Sequence, residues 1–281
     1  MCSRCAELAC ALNKVGTLLQ ALRRTHSINS MSKPIQISGD VDLEKLLKRL
    51  SDDIVEAPAF LRLHQLLAVK FGEYQREVNQ SPFFWTLAAK AVLEAGLLRI
   101  ARIYDQEKSA LSLRRLLLTI HANPHLFEDE AVKRRVNSAY AEGMRSGSHS
   151  PNPEQIDADL KIVSDGDPLV DKIVIWRNTL GAHISPKRML KEPRAEFNFL
   201  SPDDAFGLCT RAFDVFNRYT SLFHATTHSK MIIGEEGSAE AVFKYLRIGL
   251  DASDKQQEEE FLRWEAKVKE LRGHGGNSPA L

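Results

Sequence analysis

The sequence predicts an all-α protein that folds as a bundle of helices. Apolar residues recur at the three- and four-residue spacing of an amphipathic helix in one segment after another. Alternating runs of β-branched residues, which indicate half-buried strands, are nearly absent. Proline follows serine or aspartate at the start of several segments, an arrangement that favours the first turn of a helix. We therefore expect the core to lie between helices.

The composition is that of an ordinary globular protein without a strong charge bias. The 281 residues are 43% hydrophobic and 27% charged, which suits one large domain or two small ones. The 38 basic and 37 acidic residues give a formal net charge of +1. Because there is no global basic field, any RNA contact is expected from a local patch.

The four cysteines predict a cytoplasmic protein without a structural zinc site or a disulfide framework. Cys2, Cys5 and Cys10 lie near the start of the chain, and only Cys209 lies in the predicted core. No histidine stands at ligand spacing beside the first three, so a zinc site lacks its fourth ligand. No apolar run reaches the roughly 18 residues of a membrane span. Metal-ligand clusters and glycine-rich phosphate loops are also missing, so we expect no metal, no cofactor and no membrane contact.

The two ends of the chain differ from the region between them. Residues 1–30 are basic and weakly amphipathic, and they precede a second methionine, Met31. Polar residues interrupt the apolar run that a secretory signal requires. We expect a poorly ordered extension upstream of the true start, although an amphipathic helix or a targeting segment remains open. The folded helical domain is expected over residues 31–272, followed by a disordered tail over residues 273–281.

The first half of the chain contains the helix expected to be the most buried. Ser81-Pro82 opens it, it runs to about Asp105, and its nearly continuous apolar residues place it at the centre of the bundle. Pro58, a good first-turn residue, separates two earlier helices. The helices predicted in this half cover residues 41–56, 58–79, 82–105, 110–121 and 127–144.

Two strong helix starts mark the second half. Asp167 is predicted to be an N-cap, with Pro168 at the first helical position. Ser201-Pro202 begins another helix, and the two acids that follow suit the positive end of its dipole. A surface loop and a basic connector are predicted over residues 145–154 and 184–195. The helices predicted in this half cover residues 154–164, 168–181, 202–224, 239–250 and 253–272.

The segment around Arg177 contains the residue types that RNA cleavage without a metal requires. Arg177 lies in the last turn before Gly181, a usual helix stop, which frees His183 to turn back toward it. Asn178 can orient either side chain. Cleavage requires proton transfer from the 2′-hydroxyl and to the 5′-oxygen, and a donor that stabilises charge on phosphorus. Because histidine titrates near neutral pH and guanidinium fits phosphate, we predict Arg177, Asn178 and His183 as catalytic residues.

The Arg–His spacing alone is weak evidence, because it occurs three times. Five residues also separate Arg115 from His121 and Arg218 from His224. In the motif described above, asparagine follows the arginine and Gly-Ala precedes the histidine, whereas large apolar residues precede the other two histidines. We expect His121 and His224 to lie on helix faces near helix ends.

The stretch RNTLGAH, residues 177–183, resembles the signature of the HEPN family. In that family an arginine, usually followed by Asn, Asp or His, precedes a histidine by four to six residues. The wider chain resembles the AbiU subgroup, which is linked to abortive infection. The segments FFWTLAAKAVLEAGLLRIARIYDQEKSALSLRRLL and LSPDDAF are similar to that subgroup, and the resemblance covers roughly residues 40–230.

This resemblance implies an up-and-down helical bundle, often a dimer with the two motifs facing each other. Some HEPN proteins are metal-independent endoribonucleases in phage defence or toxins, whereas others only bind RNA or a protein partner; both functions remain open here. The expected partners are RNA, a second copy of the chain and, for a toxin, an antitoxin. One HEPN variant has a modified tyrosine two residues after the histidine, but this position is Ser185 here.

Other polar residues have weaker indications. Lys187 and Arg188 begin a basic stretch that is predicted either to bind an RNA backbone or to be a solvated connector. Glu94 and Arg99 lie within the apolar central helix. We expect each of them either to form a salt bridge or to lie at the surface. The resemblance implies a third alternative, in which a polar residue of this helix supports the Arg-His motif. Asp105 is expected to be a surface acid rather than a partner of the motif.

Overall fold

The computed structural model describes residues 33–136, 149–178, 200–230 and 235–274. Regular structure in these ranges is helical throughout, which confirms the predicted all-α fold. The predicted N-terminal extension lies outside them, as do residues 275–281 of the predicted tail. The α-helices are α1 (Asp40–Glu73), α2 (Gln75–Asn79), α3 (Pro82–Ile103), α4 (Leu113–Ala122), α5 (Asp129–Arg135), α6 (Pro153–Val163), α7 (Pro168–Trp176), α8 (Pro202–His224) and α9 (Glu235–His274).

Helix α1 continues through Pro58, so the prediction of two helices separated there is wrong. A proline inside a helix removes a backbone hydrogen bond and favours a kink. Here Pro58 is buried beside Ala57, where α1 packs closely against α3 at Gly96. A Cβ atom at Gly96 would lie 3.2 Å from both Leu61 Cδ2 and Phe60 Cβ. This close packing stabilises the continuous helix against the local preference of proline.

Helices α1 and α3 run antiparallel along most of their length. Asp53 pairs with Arg102, and Glu56, one turn further along α1, pairs with Arg99, one turn back on α3. The chain therefore goes up α1 and down α3, with the short α2 at the turn. This arrangement brings the beginning of α1 and the end of α3 to the same end of the bundle.

Helix α3 is less buried than predicted. Only four of its residues are buried, and the exposed fractions of Phe83 and Leu87 are 75% and 49%. Among the described helices, α8 has the largest number of buried residues instead, ten, and it contacts α1, α3, α5 and α7. Apolar residues on all sides of a helix indicate that the helix can be buried. The fraction of the helix that is buried depends on how many neighbouring helices pack against it.

The two strongest predicted helix starts are confirmed. The Asp167 side chain accepts two backbone N–H groups in the first turn of α7, at 2.9 and 3.2 Å. Ser201 and Asp204 form a reciprocal capping box at the start of α8. Lys172 Nζ donates to Asp204 Oδ2 at 2.7 Å, which joins α7 to α8. The hydrogen bond from Lys172 and that from the Ser201 backbone lower the pKa of Asp204 to about 2.

The predicted helix over residues 127–144 has different bounds. A 3₁₀ helix covers Pro124–Phe127, and α5 follows over only seven residues. Val136 returns to an extended backbone, with φ −92° and ψ 152°. The remaining residues of this prediction, like residues 145–148 of the predicted loop, lie outside the described ranges.

Helix α9 is one helix of 40 residues, so the prediction of two helices over residues 239–250 and 253–272 is wrong. It docks on α2, where Arg247 Nε donates to Glu77 Oε1 at 2.8 Å. Arg76 of α2 pairs with two aspartates of α9, at 2.7 and 2.6 Å. These ion pairs stabilise the helix around residues 251–252, where the sequence predicts the break between the two helices. Across the described ranges, every helix is too short or too polar to cross a membrane.

Candidate functional site

Helix α7 presents Arg177 at its C-terminal end. Val170 and Ile173 are fully buried and fix one face of α7 against the bundle, where it contacts α3 and α8. The regular helix ends at Trp176, and the backbone at Arg177 and Asn178 widens into a π-helical turn. Such turns are frequent at functional sites. Arg177 is therefore attached to a fixed helix rather than to a free loop.

Arg177 forms an ion pair with Asp105, just beyond the end of α3. The distance from Arg177 Nη1 to Asp105 Oδ1 is 2.6 Å, and the two side chains are 20% and 17% exposed. Asp105 Oδ1 also accepts the backbone N–H of Glu107 at 2.9 Å. The prediction of Asp105 as a surface acid is therefore wrong. A short, charge-assisted hydrogen bond of this kind fixes the direction of the guanidinium.

The position of Asp105 depends on Tyr104, the residue before it. Tyr104 is fully buried, and its hydroxyl donates to the backbone carbonyl of Leu208 in α8 at 2.8 Å. Burial raises the pKa of Tyr104 well above its usual value. The sequence signal is limited to the position of Asp105 directly after the aromatic end of α3, and it does not identify Arg177 as the partner. A partly buried carboxylate at such a place needs a cationic partner.

Asn178 lies next to Arg177 and contacts it. Arg177 Nε donates to Asn178 Oδ1 at 3.2 Å. The other predicted site residues, His183, Lys187 and Arg188, lie outside the described ranges. The described half of the site therefore consists of a guanidinium held from two sides, by a carboxylate and by an amide.

A cleft of about 220 Å³ lies beside the Arg177–Asp105 pair, and Asp105 forms part of its wall. Arg49 and Arg102 also line it, with side chains 56% and 47% exposed. Arg102 donates to both oxygens of the buried Asp53 carboxylate, and this bonding raises the pKa of Arg102. The wall of the cleft therefore carries two guanidinium groups together with the carboxylates of Asp53 and Asp105.

Arg99 and Glu94 take the simpler of their two predicted roles. Arg99 donates to Glu56 Oε2 through Nε at 2.8 Å and Nη2 at 2.5 Å, and its guanidinium lies 4.3 Å from the centre of the Phe60 ring. Glu94 lies on the exposed side of α3, with Lys90 Nζ at 3.8 Å. Arg99 therefore forms a salt bridge that joins α1 to α3, and Glu94 lies at the surface.

The histidines of the other two Arg–His spacings lie near helix ends, as predicted. His121 is exposed in the last turn of α4. His224 is partly buried in the last turn of α8, and this burial lowers its pKa. Arg218 is bonded to the buried Asp159 carboxylate, and Arg115 donates to two backbone carbonyls. Both arginines therefore have structural partners within the bundle.

The comparisons with known proteins indicate one family. The family model described as HEPN AbiU2 matches residues 40–242, well over half of the chain, which confirms the resemblance inferred from the sequence. The matched range includes Asp105, Arg177 and His183. Comparison with curated proteins and with solved structures gave no match. In the part of the chain that the structure describes, no group of three or more His, Cys, Asp or Glu side chains could hold a metal ion.

Proposed function

Because this chain belongs to the HEPN AbiU2 family, we propose that it is a metal-independent endoribonuclease that acts in phage defence or as a toxin. The observation that supports the activity is Arg177, which Asp105 holds at 2.6 Å beyond the end of α7. Asn178 follows directly, and His183 comes six residues after the arginine. A guanidinium, an amide and an imidazole are sufficient for phosphodiester cleavage by the neighbouring 2′-hydroxyl.

In the proposed reaction, Arg177 binds the scissile phosphate and stabilises negative charge on the phosphorane. His183 transfers protons: the 2′-oxygen loses its proton and bonds to phosphorus, while the bond from phosphorus to the 5′-oxygen breaks. The 5′-oxygen takes up a proton, and the upstream product ends in a 2′,3′-cyclic phosphate. The contacts described for Arg177 use Nη1 and Nε, and the proposal assigns Nη2 as the donor to a phosphate oxygen. Asn178 orients the guanidinium through its side-chain oxygen.

The proposal extends to a homodimer, because cleavage requires an acid and a base and one motif has a single imidazole. Two motifs that face each other across a two-fold axis supply both groups from one sequence. Lys187 and Arg188 are proposed to bind the RNA backbone beside this shared surface. For a toxin, an antitoxin protein is the further partner.

A second candidate function is a non-catalytic HEPN module that binds RNA or a protein partner. It is favoured by the ion pair itself, because the guanidinium of Arg177 already has a carboxylate partner. The formal charge of +1 also gives no general attraction for RNA. In this case the Arg177–Asp105 pair is structural and His183 transfers no proton.

Incubation of the pure full-length protein with total RNA in EDTA distinguishes the two functions. We expect the wild type to cut RNA and to leave 2′,3′-cyclic phosphate ends. His183→Ala should lower the rate by about 10² to 10⁴, the usual cost of losing a positioned acid or base. His121→Ala and His224→Ala have the same spacing to an arginine and should leave the rate unchanged. A wild type that binds RNA or a partner protein but cuts no RNA establishes the non-catalytic function instead.

A further inference from the structure

A second cleft, of about 380 Å³, lies at the N-terminal end of α1. Its polar lining includes two arginines, Arg134 and Arg135, with His125 and the single carboxylate of Asp40. It shares no lining residue with the cleft beside Arg177. The second cleft is therefore a separate candidate site for a negatively charged ligand.

Arg135 is the strongest indication of a ligand. Its side chain is only 8% exposed. Nη2 donates to the carbonyl of Leu126 at 2.6 Å, Nε donates to the carbonyl of Phe223 at 3.3 Å, and the guanidinium stacks 3.8 Å from the centre of the Phe223 ring. Nη1 has no hydrogen-bond partner among the described residues, and the Asp40 carboxylate is 3.9 Å away. A buried cationic donor without an acceptor is unfavourable, so an acceptor in the cleft would stabilise the protein.

Charges of both signs act on Arg135. Burial lowers the pKa of the Arg135 guanidinium most and the neighbouring Arg134 lowers it further, whereas the carboxylates of Asp40 and Glu44 partly oppose this effect. An anion bound in the cleft would interact favourably with both arginines. One oxygen of the Asp40 carboxylate already has a hydrogen-bond partner, because Oδ1 accepts the backbone N–H of Val41 at 2.9 Å.

The start of α1 also contributes the positive end of its helix dipole to the cleft. Gly39 precedes the first turn of this 34-residue helix and provides no side-chain cap, although Asp40 Oδ1 accepts the Val41 N–H within that turn. Such helix starts bind phosphate and carboxylate through backbone N–H groups and the helix dipole. The acidic Asp42 of the same turn is directed to Ser38 and Lys45.

We propose that this cleft binds a phosphate group, held by Arg135 Nη1 and Arg134, with His125 and the start of α1 around it. Arg135 contributes the single nitrogen Nη1, because Nη2 and Nε donate to carbonyls, whereas the exposed Arg134 can present its guanidinium fork to two phosphate oxygens. The volume exceeds that of a phosphate group alone, so the group belongs either to a mononucleotide or to an RNA backbone. The proposal does not depend on cleavage at Arg177.

Calorimetric titration of the full-length protein with inorganic phosphate, AMP and a short RNA tests the proposal. All titrations use the His183→Ala background, so that RNA is not consumed. Arg134→Ala removes an exposed lining residue of α5 and should weaken phosphate binding about tenfold. Lys133→Ala is the matched control, because Lys133 is its neighbour, pairs with Glu130 at 3.1 Å and does not line the cleft.

Asp40→Asn removes the competing carboxylate and should strengthen phosphate binding, whereas a cation site would be weakened by the same change. Tighter binding of AMP than of phosphate identifies a mononucleotide as the source of the group. Binding of RNA alone, lost in Arg134→Ala but kept in Lys133→Ala, identifies the RNA backbone. Absence of saturable binding of all three probes overturns the proposal, as does equal weakening by Arg134→Ala and Lys133→Ala.

Discussion

At the scale of single residues, Asp105 sets the direction of the Arg177 side chain. Its carboxylate is 17% exposed and is itself held by the backbone N–H of Glu107. A free arginine side chain has many rotamers, and fixing it before a substrate binds removes part of the entropy cost of binding. In the proposed reaction Asp105 is therefore a positioning residue, while Arg177 contacts the phosphate.

We expect Asp105→Asn to lower the RNA cleavage rate about 10- to 100-fold, since a displacement of about 1 Å in a positioned group has effects of this size. The amide still accepts the N–H of Glu107, so the melting temperature should change little. Asp105→Glu should restore part of the rate. Asp214→Asn removes an exposed carboxylate that pairs with Lys230 at 2.7 Å and serves as the control. A wild-type rate in Asp105→Asn contradicts the positioning role.

The same residue shows which parts of the site the sequence could predict. The caps at Asp167 and Ser201 depend on neighbours within three residues, so their local pattern predicts them. The pairing of Asp105 with Arg177 joins residues 72 positions apart, by their numbers, and no local spacing indicates it. The motif itself, with Asn178 beside Arg177, could be recognised because its residues are adjacent in sequence.

At the scale of helices, the contact between α1 and α3 fixes the end of the bundle where Asp105 lies. The two helices approach most closely at Gly96, where α3 presents no side chain to Leu61 and Phe60. Ion pairs between Asp53 and Arg102 continue this pairing toward the candidate site. A change in the spacing between α1 and α3 should therefore mainly alter the stability of the protein and have a smaller effect on the candidate site.

Gly96→Ala should destabilise the protein by about 1–3 kcal/mol, because the new Cβ would be 3.2 Å from two side-chain atoms of α1. Gly249→Ala is the matched control, since Gly249 is also helical and a Cβ added there would meet no atom within 4 Å. The control should stabilise the protein by about 0.5–1 kcal/mol through helix propensity. Chemical denaturation measures both. A gain in stability in Gly96→Ala would show that the helices do not meet as described.

The two helix breaks that the sequence predicts and the structure lacks, at Pro58 and at residues 251–252, share one physical cause. Pro58 is a local signal for a helix start, yet burial against α3 keeps α1 continuous. The sequence predicts two helices that meet at residues 251–252, yet ion pairs from Arg76 and Arg247 stabilise α9 as one helix there. In each case contacts between distant segments outweigh a local preference of about 1–3 kcal/mol.

At the scale of the whole molecule, α8 forms the buried centre, and the candidate site lies where the ends of α3 and α7 meet. The proposed homodimer brings two such sites together. We expect sedimentation of the full-length protein at micromolar concentration to give a dimer. A monomer that still cleaves RNA contradicts the paired arrangement, because one motif would then supply both proton transfers.

The rate of Arg177→Ala under single-turnover conditions tests the proposed activity most directly. With a defined RNA in EDTA, loss of this charge-stabilising donor should lower the rate about 10² to 10³ below that of the wild type. Arg115→Ala is the matched control, because Arg115 has the same spacing to a histidine but donates to backbone carbonyls. We predict a wild-type rate for Arg115→Ala and almost none for Arg177→Ala. Equal rates in Arg177→Ala and the wild type would contradict the proposed role of Arg177.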